Sequence, residues 1–157
     1  DMSLGSGVLG SVRLGAARAS VVATSDQIEL NNLTAEVMDG RLAGNAVIAT
    51  NNRARSRVDA EFANLDLAKL LALQGGRVIP VAGETTGRVN LTFPGTNFRA
   101  ASGALTADFA ANAGDASRGL IPLTGSLVLN ATNGLFEIER ANLNTASTEL
   151  RATGRFD

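Results

Sequence analysis

The sequence predicts an all-β fold: a long antiparallel meander with one short amphipathic helix near residues 66–74. Three observations carry that prediction. Apolar or small residues alternate with polar ones over runs of five to nine residues, the period of half-buried strands. The runs are separated by short turn-forming pairs, Asn133-Gly134 above all, then Asp39-Gly40 and, more weakly, Asn51-Asn52. Tight turns of this kind join antiparallel neighbours, so successive strands should pair in sequence order. Helical spacing stands out in one stretch, Asp66 to Gln74, where Leu67, Leu70 and Leu71 fall on one stripe.

Taken in chain order, Gly5-Ser6-Gly7-Val8-Leu9-Gly10 spells the GxGxxG dinucleotide fingerprint. No strand precedes it, and Ser11 to Ala16 alternates like a strand instead of opening a helix, so its glycines are read as relief of crowding. Leu42, Gly44, Ala46 and Ile48 then share one strand face. Val58, Ala60 and Phe62 share another, with Asp59 and Glu61 on the opposite side. The helix should be capped by Asn64 or Asp66, stopped by Gly75-Gly76, and laid against the sheet or across the end of a groove, since so short a helix is not stable alone. Val89, Leu91 and Phe93 continue the alternation, followed by Leu105, Ala107 and Phe109, then Leu127 with Leu129, Phe136 with Ile138, and Leu150, Ala152, Gly154 and Phe156. A loose internal likeness links the segment from Ile28-Glu29-Leu30 to Gly44 with that from Phe136-Glu137-Ile138 to Gly154, suggesting a repeated hairpin unit. The whole of 1–157 reads as a single segment.

Composition narrows the function. The chain of 157 residues contains no His, Cys, Trp or Tyr. That removes most nucleophile–base pairs, nitrogen and sulfur metal sites, disulfides and the aromatic platforms that stack sugars or bases. No enzymatic activity, metal or cofactor is expected. With 14 basic and 15 acidic residues the formal net charge is −1, which gives no electrostatic reason to expect nucleic acid or an anionic bilayer as partner. Charged residues make up 18% against a usual value of about 25%. Part of the surface is therefore expected to be apolar for a purpose.

Candidate chemistry is sparse. Asp59/Glu61 and Glu137/Glu139 stand at i, i+2 on outward strand faces, the place for solvated carboxylates and not for acid–base pairs. Asp26, Asp39, Asp108 and Asp115 form no calcium-loop motif. Arg53-Ala54-Arg55-Ser56-Arg57 would set three guanidinium groups on one face of a strand, enough to meet a phosphate or a lipid headgroup or simply to keep a sheet edge soluble. The continuous feature is an apolar face presented by Leu42, Ile48, Val58, Phe62, Val89, Leu91, Phe93, Leu105, Phe109, Leu127, Leu129, Phe136, Ile138, Leu150 and Phe156. Either the sheet folds on itself to enclose that face, as in a structural or adhesive module with a closed core and no ligand, or the face stays open as a trough suited to acyl chains. The Ala and Gly at Gly44, Ala46, Ala60 and Ala107 lean toward the trough.

The stretch Asn64-Leu65-Asp66-Leu67-Ala68-Lys69-Leu70-Leu71, the run from Pro80 to Leu91 that contains Gly83-Glu84-Thr85-Thr86-Gly87, and Pro94-Gly95-Thr96 resemble the AsmA-like superfamily, in particular its TamB-type members. The final run, with Asn142-Leu143, Thr145, Leu150, Ala152, Gly154 and Phe156, is similar to a hairpin that recurs in that group. The resemblance spans residues 28–157 and consists of strand-and-turn patterns. It implies a fragment of a much longer periplasmic protein, anchored in the inner membrane, whose sheet curls into an open, taco-like groove. Such a groove would shield phospholipid acyl chains between inner and outer membrane and contribute to outer-membrane assembly or lipid homeostasis. Through the full-length chain the resemblance also implies an Omp85-type outer-membrane barrel as partner, and it carries over no catalytic residue.

Overall fold

A computed structural model describes residues 2–4, 7–9, 12–72, 80–112 and 116–156. It is an open all-β sheet with one short helix. Nine strands follow one another in sequence order: β3 (Val12–Ala23), β4 (Gln27–Val37), β5 (Gly40–Ala49), β6 (Arg55–Asp66), β8 (Glu84–Pro94), β9 (Ser102–Ala110), β11 (Thr124–Thr132), β12 (Leu135–Asn144) and β13 (Glu149–Phe156). All pair antiparallel. The short strands β1 (Met2–Leu4) and β2 (Gly7–Leu9) pair along the far edge of β3. Of the GxGxxG run, Gly7 to Leu9 thus form a strand, while Gly5, Ser6 and Gly10 lie outside the described residues. Two further short strands, β7 (Val81–Ala82) and β10 (Ile121–Pro122), pair parallel beside the main sheet.

The turns follow local backbone chemistry. Asn133 and Gly134 have φ of 51° and 87° and close the β11–β12 hairpin, with Thr132 opposite Leu135. Two consecutive left-handed residues give the twist that a two-residue hairpin requires. The β4–β5 hairpin departs from the expected Asp39-Gly40 turn by one residue. Met38 and Asp39 take the positive φ values, 48° and 65°, and Gly40 already pairs with Val37 inside the ladder. Position 40 must be glycine for another reason: a Cβ there would run into the backbone of Ala63 and Asn64.

Within the described residues the helix α1 covers Leu67–Ala72, and Leu73, Gln74 and the Gly75-Gly76 stop lie outside them, as does Asp115. Asp66 is the cap: its Oδ1 accepts the Lys69 amide at 3.0 Å. Leu67 is buried, and its amide donates to the Gly83 carbonyl, so the helix is held against β6 and β7 at one end of the sheet. Asn64, the other capping candidate, sits in a bulge.

Bulges are what the alternation pattern did not predict. In β4 the register steps between Leu30 and Leu33, in β6 between Phe62 and Leu65, and in β12 between Ile138 and Ala141. Asn32 and Asn64, the left-handed residues of the first two, have φ of 54° and 55°, a conformation that Asn tolerates better than most side chains. A bulge leaves a backbone amide without a ladder partner. Here the neighbouring strand supplies one from a side chain: Asn32 N–H donates to Asn45 Oδ1 at 2.9 Å, and Asn64 N–H to Thr86 Oγ1 at 3.1 Å.

Two buried hydroxyls offer opposite tests of polar satisfaction. Ser56 Oγ accepts the Ala49 amide at 2.9 Å and donates to the Gly95 carbonyl, whereas Thr85 Oγ1 is buried with no hydrogen-bond partner among the described residues. Ser56→Ala should lower unfolding stability by about 1–3 kcal/mol, because it strands a buried amide and a buried carbonyl. Thr85→Val should leave stability unchanged or raise it by up to about 1 kcal/mol. Urea unfolding followed by circular dichroism would read both signs.

Candidate functional site

The register of the ladders gathers the apolar residues into continuous rows that cross the sheet. One row runs Val21, Leu30, Ala46, Val58, Leu91, Gly103, Ala131, Phe136, Phe156. The next runs Leu33, Gly44, Ala60, Val89, Leu105, Leu129, Ile138, Gly154. A third passes through Leu42, Phe62, Gly87, Ala107, Leu127 and Ala141, and a fourth through Leu65, Thr85, Phe109, Gly125, Leu143 and Leu150. Directly opposite residues of an antiparallel pair share a face. Ile48 lies opposite Ile28, and Phe93 opposite Ser56, on the same side. All fifteen expected lining residues therefore stand on one face of one sheet.

The row on the reverse side that falls between the first two is Asn45, Asp59, Asn90, Ala104, Asn130, Glu137, Arg155. The two carboxylate pairs lie on this polar face with partners of their own. Asp59 accepts from Asn90, Glu61 pairs with Arg88, Glu137 with Arg155, and Glu139 accepts from Asn130. They do not converge on a pocket. A shallow depression of about 560 Å³ on this side is bounded by Arg41, Glu61, Thr86, Arg88 and Thr106, with the Arg88–Glu61 pair within it. No group of side chains suited to hold a metal occurs among the described residues, nor does a helix long and apolar enough to cross a membrane.

Burial shows how the apolar face is covered. Of the fifteen lining residues, Phe93 is buried at 6% exposure, Leu150 and Phe156 are exposed at 52% and 48%, and the other twelve are half-buried. Nine of the twelve buried apolar residues among the described residues are alanines, and five of these, Ala46, Ala60, Ala107, Ala131 and Ala141, lie in the apolar rows beside larger neighbours. A sheet packed against a second layer would instead bury its Leu, Ile and Phe. Total accessible surface agrees. The chain exposes 10140 Å², against about 7,400 Å² for a compact monomer of 16.1 kDa. The apolar side chains are covered chiefly by one another, along a single layer.

Small residues keep the face low. Phe62 lies across Gly87, where a Cβ would come within 2.6 Å of the ring and also strike the Thr106 carbonyl. Gly103 and Gly125 have φ of 150° and 134° and press against the neighbouring strands at Asn90 and Asn142. Strict alternation missed Leu30, Leu33, Leu65 and Leu143, which belong to the same face. The signal that finds them is the change of apolar spacing from two to three at Leu30/Leu33 and Phe62/Leu65, where the Asn-containing bulges fall, and at Ile138/Ala141 before Leu143. The arginine cluster is also corrected: Arg55 and Arg57 stand on β6 facing the polar side, but Arg53 precedes the strand in the β5–β6 turn, so only two guanidinium groups share a strand face.

No protein-family model, curated protein or solved structure matches this chain.

An open face also has an energetic signature. Leu105→Ala and Leu129→Ala should each cost about 1–1.5 kcal/mol, half the transfer free energy of a fully buried leucine. The roughly 2.7–5 kcal/mol typical of closed-core leucines would indicate that the face is enclosed. Chemical denaturation of the two single variants separates these outcomes.

Proposed function

We propose that the apolar face is a lipid-carrying surface, and that the chain is a segment of a periplasmic, bridge-like lipid transport protein of the AsmA-like, TamB type. The observation that carries this reading is an apolar face that is continuous across nine strands and only half-buried. At about 4.8 Å per strand the nine strands make a path about 38 Å wide, greater than the length of one extended acyl chain. Each Å² of chain covered is worth about 25 cal/mol. Rows of Leu, Val, Phe, Ala and Gly recur with little change from strand to strand, so a chain shifted by one rung finds similar contacts. The curvature that turns such a sheet into a groove, the inner-membrane anchor and an Omp85-type barrel partner belong to the same proposal, through the longer protein that the family resemblance implies. Contribution to outer-membrane assembly or lipid homeostasis follows from that route.

Native mass spectrometry with lipid extraction tests the reading on protein purified from a bacterial envelope, beside the variant Leu91→Asp/Leu105→Asp/Leu129→Asp. Phospholipid on the parent and none on a still-folded variant is the expected outcome. A lipid-free parent whose variant unfolds would move those leucines into a closed core and favour a structural or adhesive module.

A further inference from the structure

Four connections lie at the same end of the sheet and are stitched to one another. Thr50 N–H donates to the Asp26 carbonyl at 2.8 Å, joining the β3–β4 turn to the β5–β6 turn. Gly95 N–H donates to the Ala54 carbonyl at 2.9 Å, joining that turn to the β8–β9 connection, which carries the short 3₁₀ turn Phe98–Ala100. Gly134 N–H then donates to the Ala101 carbonyl at 2.9 Å, and Asn133 N–H to Ser102 Oγ at 2.8 Å, adding the β11–β12 turn. The result is a continuous rim across the strand ends. The opposite end, which carries the helix and the β7–β10 pair, is stitched in the same way: Asp66 N–H donates to the Met38 carbonyl at 2.9 Å, Leu67 N–H to the Gly83 carbonyl at 3.0 Å and Leu123 N–H to the Ala82 carbonyl at 3.0 Å.

This rim holds an unusual pairing of groups. Seven large apolar side chains are exposed among the described residues, and five of them, Val22, Ile28, Phe98, Leu135 and Phe156, stand at or beside it. Phe98 is 55% exposed and makes an edge-to-face contact with the buried Phe93 ring, centroids 5.5 Å apart. By register Val22 and Leu135 belong to the face opposite the apolar rows, paired with Glu29 and Thr132. Their exposure is therefore not a continuation of the apolar rows. Arg53 in the β5–β6 turn and Arg99 in the 3₁₀ turn stand on the same rim, with Arg55 and Arg57 on the polar face of β6 beside it, all exposed and with no ion pair among the described residues. The carboxylates at neighbouring positions are Asp26, Glu29 and Asp59, which accept from Asn51, Gln27 and Asn90 respectively, and Glu137, which pairs with Arg155.

From this juxtaposition we infer that the rim is a docking edge for an anionic lipid bilayer, with Phe98 and Leu135 entering the headgroup region and the four arginines meeting lipid phosphates. The chain's net charge of −1, which gives no reason to expect an anionic bilayer, is a whole-chain sum, and the inference rests on the local distribution of charge. At physiological salt a charge is felt over about 8 Å, so the local excess of arginine governs the encounter and the distant carboxylates do not. Exposed apolar tips flanked by guanidinium groups bind through area buried in the interface and attraction to anionic headgroups together. The inference does not depend on acyl chains lying on the apolar face.

Flotation of the folded chain with vesicles tests it, using phosphatidylcholine alone and phosphatidylcholine with a quarter phosphatidylglycerol. Binding is expected to the anionic vesicles only, and to be lost when salt rises from about 50 to about 500 mM. Arg53→Gln/Arg55→Gln/Arg99→Gln should weaken it by about fivefold per arginine, and Phe98→Ser should weaken it while keeping the salt dependence. Arg41→Gln/Arg140→Gln, away from the rim, should change nothing. No binding by the parent, equal binding to both vesicle types, no effect of Phe98→Ser, or an equal loss from the Arg41/Arg140 variant would each overturn the inference. Circular dichroism confirms that every variant is folded. Vesicle binding by a chain that carries no extractable lipid would leave the docking edge standing and remove the lipid-carrying role.

Discussion

Parity is the constraint on which this molecule depends. In a single layer the apolar side chains must all project to the same side, because no second sheet receives those that point the wrong way. A slip of one residue in any ladder would send a strand's Leu, Val and Phe into water and its carboxylates onto the apolar face. The nine-strand meander avoids this through tight hairpins that fix register locally and through bulges that restore parity where the apolar spacing changes from two to three. Asn32 and Asn64 make the left-handed step, and the side chains of Asn45 and Thr86 take up the amides that the step leaves over. The side-chain hydrogen bonds of the polar face therefore help to hold the apolar face in place.

Cohesion comes from the same arrangement. Without a conventional core, burial is obtained within rows, where alanines and glycines sink between larger neighbours and Phe62 crosses Gly87. The ion pairs Arg88–Glu61, Arg155–Glu137 and Lys69–Asp39 are exposed and add little individually. Their positions, like those of Asp59 with Asn90 and Glu139 with Asn130, are better understood as matching of the polar ladder, since like charges opposite one another would oppose the register. An edge remains at β13, where the exposed Leu150 and Phe156 continue two of the apolar rows.

The proposed function uses these properties directly. A surface that must accept long apolar molecules without specificity needs area, uniformity and access, and a half-buried face of repeated small and branched residues provides all three. The inferred docking edge adds a second kind of contact, with charge and aromatic groups gathered at the strand ends, where the sheet's hydrogen-bonded connections make a firm border. Acyl chains and a bilayer surface would thus be met by different parts of the same layer.

Much of this was legible in the residues. Alternation places Leu42, Val58, Val89, Leu105 and Leu129 on one face because a strand's side-chain period is two whatever surrounds it, and Asn133-Gly134 marks its hairpin because the turn needs two left-handed residues. The β4–β5 turn was misplaced by one position because a glycine can serve a turn or a close contact, and only the approach of Ala63 and Asn64 shows that Gly40 serves the second. The bulges, and with them Leu30, Leu33, Leu65 and Leu143, were missed because a two-residue period read along one strand does not reveal what the neighbouring strand is doing. The sequence by itself determined the strand faces, the hairpin order and the absence of imidazole, thiol and indole chemistry, all of which are local or compositional. Whether the apolar face is enclosed or open, and which distant arginines and exposed apolar residues meet in one rim, was decided only by the tertiary structure, because both depend on how nine strands lie beside one another.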